Sequence, residues 1–182
     1  TALASFGLRR GDEVLVGSHE YFSTLNACMR HCAAAGARCR VVPMPFPARG
    51  PEGAAESFLS MVTPATRLAV IDHVTSSTGF VQDPAPLVAA MRGKGVEVLV
   101  DGAHGPGMVP LDMQAIGAAF YTGNFHKWLC SPKVCAMLYV RPDMQERTRP
   151  LATSHVMGDF DSGQSAFRIE FQWGGTPDPT AA

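Results

Sequence analysis

Lysine is scarce in this chain: among 182 residues there are Lys94, Lys127 and Lys133. Charge of either sign is thin, at 17 % of residues, and the formal net charge is −1. That balance excludes nucleic acid or an acidic membrane surface as the principal partner, since both demand clustered positive charge. No run comes near the roughly 18 consecutive apolar residues that span a bilayer, and no basic, apolar, small-residue leader is visible. The five cysteines (Cys28, Cys32, Cys39, Cys130, Cys135) are odd in number and scattered. They argue for free thiols in a reducing compartment, and a cytoplasmic location is expected. Cys28 and Cys32 bracket His31, but a metal site would want a second matching pair. On a helix the two thiols simply share a face. Also missing is Gly-x-Gly-x-x-Gly after the first strand: Ser18-His19-Glu20-Tyr21 stands there, and Gly102, Gly105 and Gly107 come in the wrong order. That weighs against a nucleotide-binding Rossmann-type module.

What is present is ordinary globular sequence, 46 % hydrophobic and long enough for one domain with a substantial core. Strands are predicted at 13–17, 38–43, 66–72, 97–100, 119–124 and 135–140. Helices fit 1–6, 24–35, 52–62, 84–94, 112–118 and 143–147, with Gly7, Gly36 and Gly95 as stops. The stretch 66–72 is a near-continuous apolar run, the pattern of a strand covered on both faces. The connection 129–134 is too short for a helical crossover, so the last strand should run antiparallel to its neighbour. From Pro142 onward the periodicity weakens into polar and glycine-rich sequence. Alternating strands and helices imply an α/β fold: a doubly wound, mostly parallel sheet with one antiparallel strand. Loops at 18–22, 73–79, 101–105 and 124–128 would then converge on the carboxyl edge, where such sheets bind ligands.

Asp101 and Lys127 fall just past the ends of successive strands. One bland explanation is a buried ion pair, since such pairs are common. The sharper one is a site that grips a cationic ring nitrogen and forms an imine, the pattern of a pyridoxal phosphate site. Lys127 is the only lysine at a strand's carboxyl end followed by a turn. A carboxylate beside the pyridine nitrogen raises the nitrogen's pKa by roughly one to three units, which makes Asp101 the candidate partner. His104 is a candidate neighbour of the ring hydroxyl. Thr122, Asn124 and His126 occupy alternate positions before Lys127, so on extended backbone they share a face and are candidate phosphate ligands. His19 and Tyr21 are candidates for an aromatic plate over the ring.

These residues resemble the class V aminotransferase group of fold type I pyridoxal-phosphate enzymes. The resemblance is carried by Asp101-Gly102-Ala103-His104 and Asn124-Phe125-His126-Lys127-Trp128, with Ser18-His19-Glu20-Tyr21, His73-Val74-Thr75-Ser76-Ser77-Thr78-Gly79 and Trp173-Gly174-Gly175-Thr176 in the matching order. It is nearest the isopenicillin N epimerase-like and hercynylcysteine sulfoxide lyase-like members. The resemblance implies pyridoxal 5'-phosphate bound through a Lys127 Schiff base and an amino-acid substrate. It implies Asp101 on the pyridine nitrogen, His104 or Thr75 and Ser76 near the ring hydroxyl, and Asn124 and His126 on phosphate. It also implies a homodimer with shared sites, in which Thr176 reaches a neighbour's phosphate. Residues 1–150 would be the cofactor-binding large domain, and 151–182 the start of the connection to a small C-terminal domain that this fragment lacks. An inactive scaffold kept for dimer contacts is the alternative.

Overall fold

Strand β1 (Glu13–Gly17) is buried along its whole length. Its side chains alternate between two apolar layers, Val14 and Val16 on one and Leu15 on the other. The same alternation holds in β3 (Thr66–Asp72), where Leu68 and Val70 face one layer and Ala69 and Ile71 the other. Successive strand residues point to opposite faces, so continuous apolar runs are what a sheet covered on both sides requires. These observations come from a computed structural model that describes residues 1–47, 50–153 and 163–172.

Four further strands complete one sheet: β2 (Arg38–Val42), β4 (Glu97–Gly102), β5 (Phe120–Asn124) and β6 (Ala136–Val140). Their order is β2-β1-β3-β4-β5-β6. All neighbours are parallel except β5 and β6, which pair antiparallel with Phe120 opposite Val140. Helices α1 (Ala2–Phe6) and α2 (Phe22–Ala35) cover one face, with Ala2, Cys28 and Cys32 in its core. Helices α3 (Pro51–Met61) and α4 (Pro84–Gly93) cover the other through Phe58, Leu87, Val88 and Met91. The expected doubly wound, mostly parallel sheet with one antiparallel strand is the fold observed. Among the described residues no helix is long and apolar enough to cross a membrane.

Boundaries depart from the sequence pattern where pairing or capping decides them. Strand β4 runs two residues past Val100, because Asp101 and Gly102 pair with Thr122 and Gly123 of β5. Helix α5 shrinks to Met113–Ile116: Asp112 caps its start through Gln114 N and Ala115 N, and Gly117 ends it at φ 67°. Helix α6 is Pro142–Gln145. The stretch read as merely polar and glycine-rich contains helix α7 (Ala166–Gln172), anchored by buried Ile169.

Gly102 and Gly105 owe their identity to Tyr121. A Cβ on either would overlap the Tyr121 side chain, whose phenol is fully buried and bonds His73 Nδ1 at 2.9 Å. The glycines make room for an aromatic ring rather than for a dinucleotide.

Candidate active site

Side-chain parity decides which face carries the site. Leu99 packs in the α1/α2 layer, so Asp101, two residues on, faces the same way. Phe120 lies in that layer too, and Thr122 and Asn124 follow it at alternate positions. The result is a cleft of about 490 Å³ at the carboxyl edge of β4 and β5, walled on the far side by α2. Asp101, Thr122, Asn124 and Lys127 line it together with Tyr21 and Thr24. The acid and the amine that the sequence singles out therefore share one cleft. Among the described residues no ion pair joins them, so the ion-pair explanation does not apply.

Asp101 is held on both oxygens. Oδ2 accepts from the Thr24 hydroxyl at 2.8 Å, and Oδ1 accepts from Ala103 N at 3.0 Å. Two carboxylate oxygens offer about four lone-pair sites, so capacity remains for a further donor. Thr24 lies 77 residues away in sequence and went unnoticed there. Only the need of a half-buried strand-end carboxylate for a donor could have hinted at it.

Behind Asp101 lies a second feature that the sequence did not announce. Asp72 is its register partner in β3, and Glu20 sits in the loop after β1; both are buried. Burial, reinforced by Asp72 and Asp101, pushes the Glu20 carboxyl up to about 10. Burial and then Asp101 push Asp72 up to about 8. Glu20 Oε2 finds no N–H or O–H donor. A proton on the Glu20 carboxyl, shared with Asp72, satisfies both groups; an unpartnered buried carboxylate would be far more costly. An acid ending an otherwise apolar strand, Ile71-Asp72, was the available signal.

Lys127 stands in the turn after β5, half-buried. Its Nζ is 3.2 Å from His104 Nε2, and Trp128 Nε1 donates to His104 Nδ1 at 3.0 Å. The 101–107 turn and the 126–129 turn are thus tied side chain to side chain. They also touch main chain to main chain, since a Cβ on Gly107 would lie 2.6 Å from the Trp128 carbonyl carbon.

The remaining candidates divide. Tyr21 lines the cleft, whereas His19 packs edge-on against Phe46 and approaches the Thr78 hydroxyl at 3.4 Å. His126 does not continue the shared face of Thr122 and Asn124. The chain leaves the strand at Asn124, and the His126 ring bonds Cys135 O at 3.0 Å instead of lining the cleft. Thr75 is buried, and its hydroxyl is engaged by Thr78 at 2.6 Å and by Phe80 N at 2.8 Å. Ser76 is exposed on the same loop. Thr176 lies outside the described residues.

The chain is similar to known proteins in sequence and in fold. A putative L-cysteine desulfhydrase of rice is 36 % identical over 181 residues, covering 94 % of this chain and 36 % of that protein. The isopenicillin N epimerase of Streptomyces clavuligerus is 32 % identical over 176 residues, covering 96 % and 44 %. This chain thus spans less than half the length of either relative. Among solved structures, the cystine C-S lyase C-DES in complex with cysteine persulfide superposes with a TM-score of 0.80 at 25 % identity, covering 92 % of this chain and 45 % of that one. A C-DES mutant with glycine covalently linked to its PLP cofactor gives 0.75 at 28 %, covering 83 % and 40 %. The sequence model for aminotransferase class-V matches residues 1–177. With nearly its whole length matched, the chain belongs to the aminotransferase class-V family.

Proposed function

We propose that this chain is the cofactor-holding part of a pyridoxal-phosphate enzyme acting at the α-carbon of an amino acid. The observation that carries the reading is the placement of Asp101 and Lys127 on one cleft. Pyridoxal phosphate, when bound, would supply an aldehyde that condenses with an amine, losing water, and a cationic ring that accepts electrons from the substrate α-carbon. The residues fit such a group: a carboxylate with spare acceptor capacity, an amine, two polar side chains at Thr122 and Asn124, and a half-exposed Tyr21 ring.

Asp101 would hold the cofactor's protonated ring nitrogen by charge and hydrogen bond. Thr24 and Ala103 keep its carboxylate turned to that task. Lys127 is the amine that meets the aldehyde carbon. Freed from the aldehyde, it would be the general base that takes the α-proton. His104 neighbours the ring hydroxyl, and Thr122 and Asn124 bind phosphate, with Thr176 reaching the phosphate of a neighbouring subunit. Thr75 and Ser76 sit on the loop opposite, and Tyr21 rather than His19 covers the ring. Carbon–sulfur cleavage, epimerisation and transamination share the α-proton step, and the named relatives favour the first two.

Residues 1–150 form the cofactor-binding unit, supported by a sheet whose last described strand ends at Val140, and 151–182 begin the connection to a small C-terminal domain. A homodimer with shared sites is supported by apolar side chains exposed close in sequence to cleft-lining Tyr21 and Lys127: Phe22 at 77 %, Trp128 at 55 % and Leu129 at 54 %. The free thiols support a cytoplasmic setting.

The test is optical. Full-length protein with added pyridoxal phosphate should develop a yellow band that borohydride removes, and Lys127→Ala should abolish it. Absence of the band in wild type sinks the reading.

A further inference from the structure

At the amino edge of the sheet, on the far side from the cleft, three arginines converge. Arg9 comes from the turn between α1 and β1, Arg67 from the start of β3, and Arg147 from the chain just after α6. With Phe6, Gly7 and Asp12 they line a pocket of about 280 Å³. Arg67 stands five positions before Asp72, the register partner of Asp101. At a strand rise of roughly 3.3 Å per residue, the pocket lies about 17 Å from the acids of the cleft.

Each arginine is held in a way that leaves donors over. Asp12 N donates to Arg9 O at 3.0 Å and Arg9 N to Asp12 Oδ2 at 2.8 Å, which closes the turn that carries the Arg9 side chain. Among the described residues the Arg9 guanidinium itself has no partner. Arg67 turns Nε toward Asp12 Oδ1 at 3.5 Å, and its terminal N–H groups make no bond among the described residues. Arg147 lies over the Phe6 ring, 5.0 Å from its centroid, and spends one N–H on Phe6 O at 2.9 Å. Three positive charges therefore face one carboxylate, and both oxygens of that carboxylate are already engaged.

Like charges gathered round one space repel one another, and burial does not demand the gathering. Arg9 and Arg147 are exposed, and the Arg67 side chain is 54 % exposed. An anion carrying two charges would cancel the excess. A planar carboxylate is satisfied by a single guanidinium fork, whereas a tetrahedral phosphate offers oxygens to donors arriving from several directions.

We propose that the amino-edge pocket is an anion site that takes a dianionic phosphate, free or carried by a small organic molecule, with Arg9, Arg67 and Arg147 as its donors. The site is separate from the cofactor cleft and does not depend on the function assigned to that cleft.

The readout is the set of arginine Nε–H signals in nitrogen–proton NMR spectra of full-length protein, titrated with inorganic phosphate at constant ionic strength. Among the described residues no arginine lines the cleft, so phosphate lodging there leaves the three signals alone. Those of Arg9, Arg67 and Arg147 should shift together and saturate, half-way at about 1 mM, the strength of a few charge-assisted bonds made in open solvent. Arg9→Gln removes a side chain that holds nothing in the described fold and should weaken binding about tenfold, the worth of one such bond. Asp12→Asn keeps an acceptor for Arg9 N and removes the opposing charge, so it should tighten binding about threefold. Glycerol 3-phosphate separates the two sources: tighter binding than inorganic phosphate marks an organic phosphate as occupant, equal binding marks the free ion, and both support the site. Shifts that never saturate, that sodium chloride reproduces, or that Arg9→Gln leaves unchanged overturn it.

Discussion

Asp101 and Lys127 stand in the same cleft, yet the chain holds them by opposite means. Asp101 lies inside a strand, flanked by register partners Asp72 and Thr122, with hydrogen bonds to both oxygens. Lys127 lies beyond its strand, in a turn followed by two non-glycine residues in the left-handed region, Cys130 at φ 59° and Val134 at φ 56°. Its side chain reaches His104, which belongs to another loop. The difference fits the roles proposed for the two groups. A counter-charge has to stay where it is, and a sheet interior supplies that rigidity. A nucleophile that exchanges partners during turnover needs a segment that can adjust, and turns supply it.

The contrast can be broken most severely through the backbone on the acid side. Gly102→Ala puts a methyl group into the fully buried Tyr121 ring. Overpacking at a site that cannot yield should cost about 3 kcal/mol or more. A urea midpoint close to that of wild type would show that the acid side is less rigid than described.

Glu20→Gln sharpens the contrast instead. Native Glu20, raised to about 10, stays protonated where the unfolded chain has lost its proton. The native state therefore binds more protons from about pH 4 upward, and stability falls as pH rises through that window. Asp72, raised to about 8, adds a loss of the same sign that ends lower. Glutamine mimics the protonated acid and should flatten the profile, leaving the variant more stable than wild type at pH 8 to 10. Unfolding midpoints across pH decide it; parallel curves for the two proteins would rule out a buried, protonated Glu20.

Thr24→Val has the smallest expected effect. It removes the hydroxyl bonded to Asp101 Oδ2 and conserves shape. Cofactor affinity, followed by titrating the absorbance band, should fall about tenfold, with little change in thermal stability. An unchanged affinity would mean that Ala103 N alone orients the acid.

Legibility in the sequence followed the same division. Strands β1 and β3 match their expected ranges, because burial on both faces keeps their interiors apolar. The extension of β4 through Asp101 and Gly102 was hidden, since an acid and a glycine are ordinary stop signals and only pairing with β5 retains them. Asp101 and Lys127 were legible because charge at a strand's carboxyl end is conspicuous. Thr24 was not: a threonine in the first turn of a helix looks like any other, and its partner is fixed by tertiary packing. The alternation from Thr122 to His126 failed at its last step because period-two reasoning ends where the strand ends, at Asn124. Helix α7 was missed because short amphipathic segments among polar residues give little periodicity to count.

Tyr121 carries a consequence for how the molecule meets ligands of different size. Its ring wedges over Gly102 and Gly105 while its hydroxyl reaches His73, so one side chain braces the tips of three adjacent strands. A floor clamped in that way has no slack to give. Any accommodation of a bulkier or slimmer substrate is thrown onto the turn bearing Lys127, and variants with altered selectivity should accumulate there rather than beneath the acid.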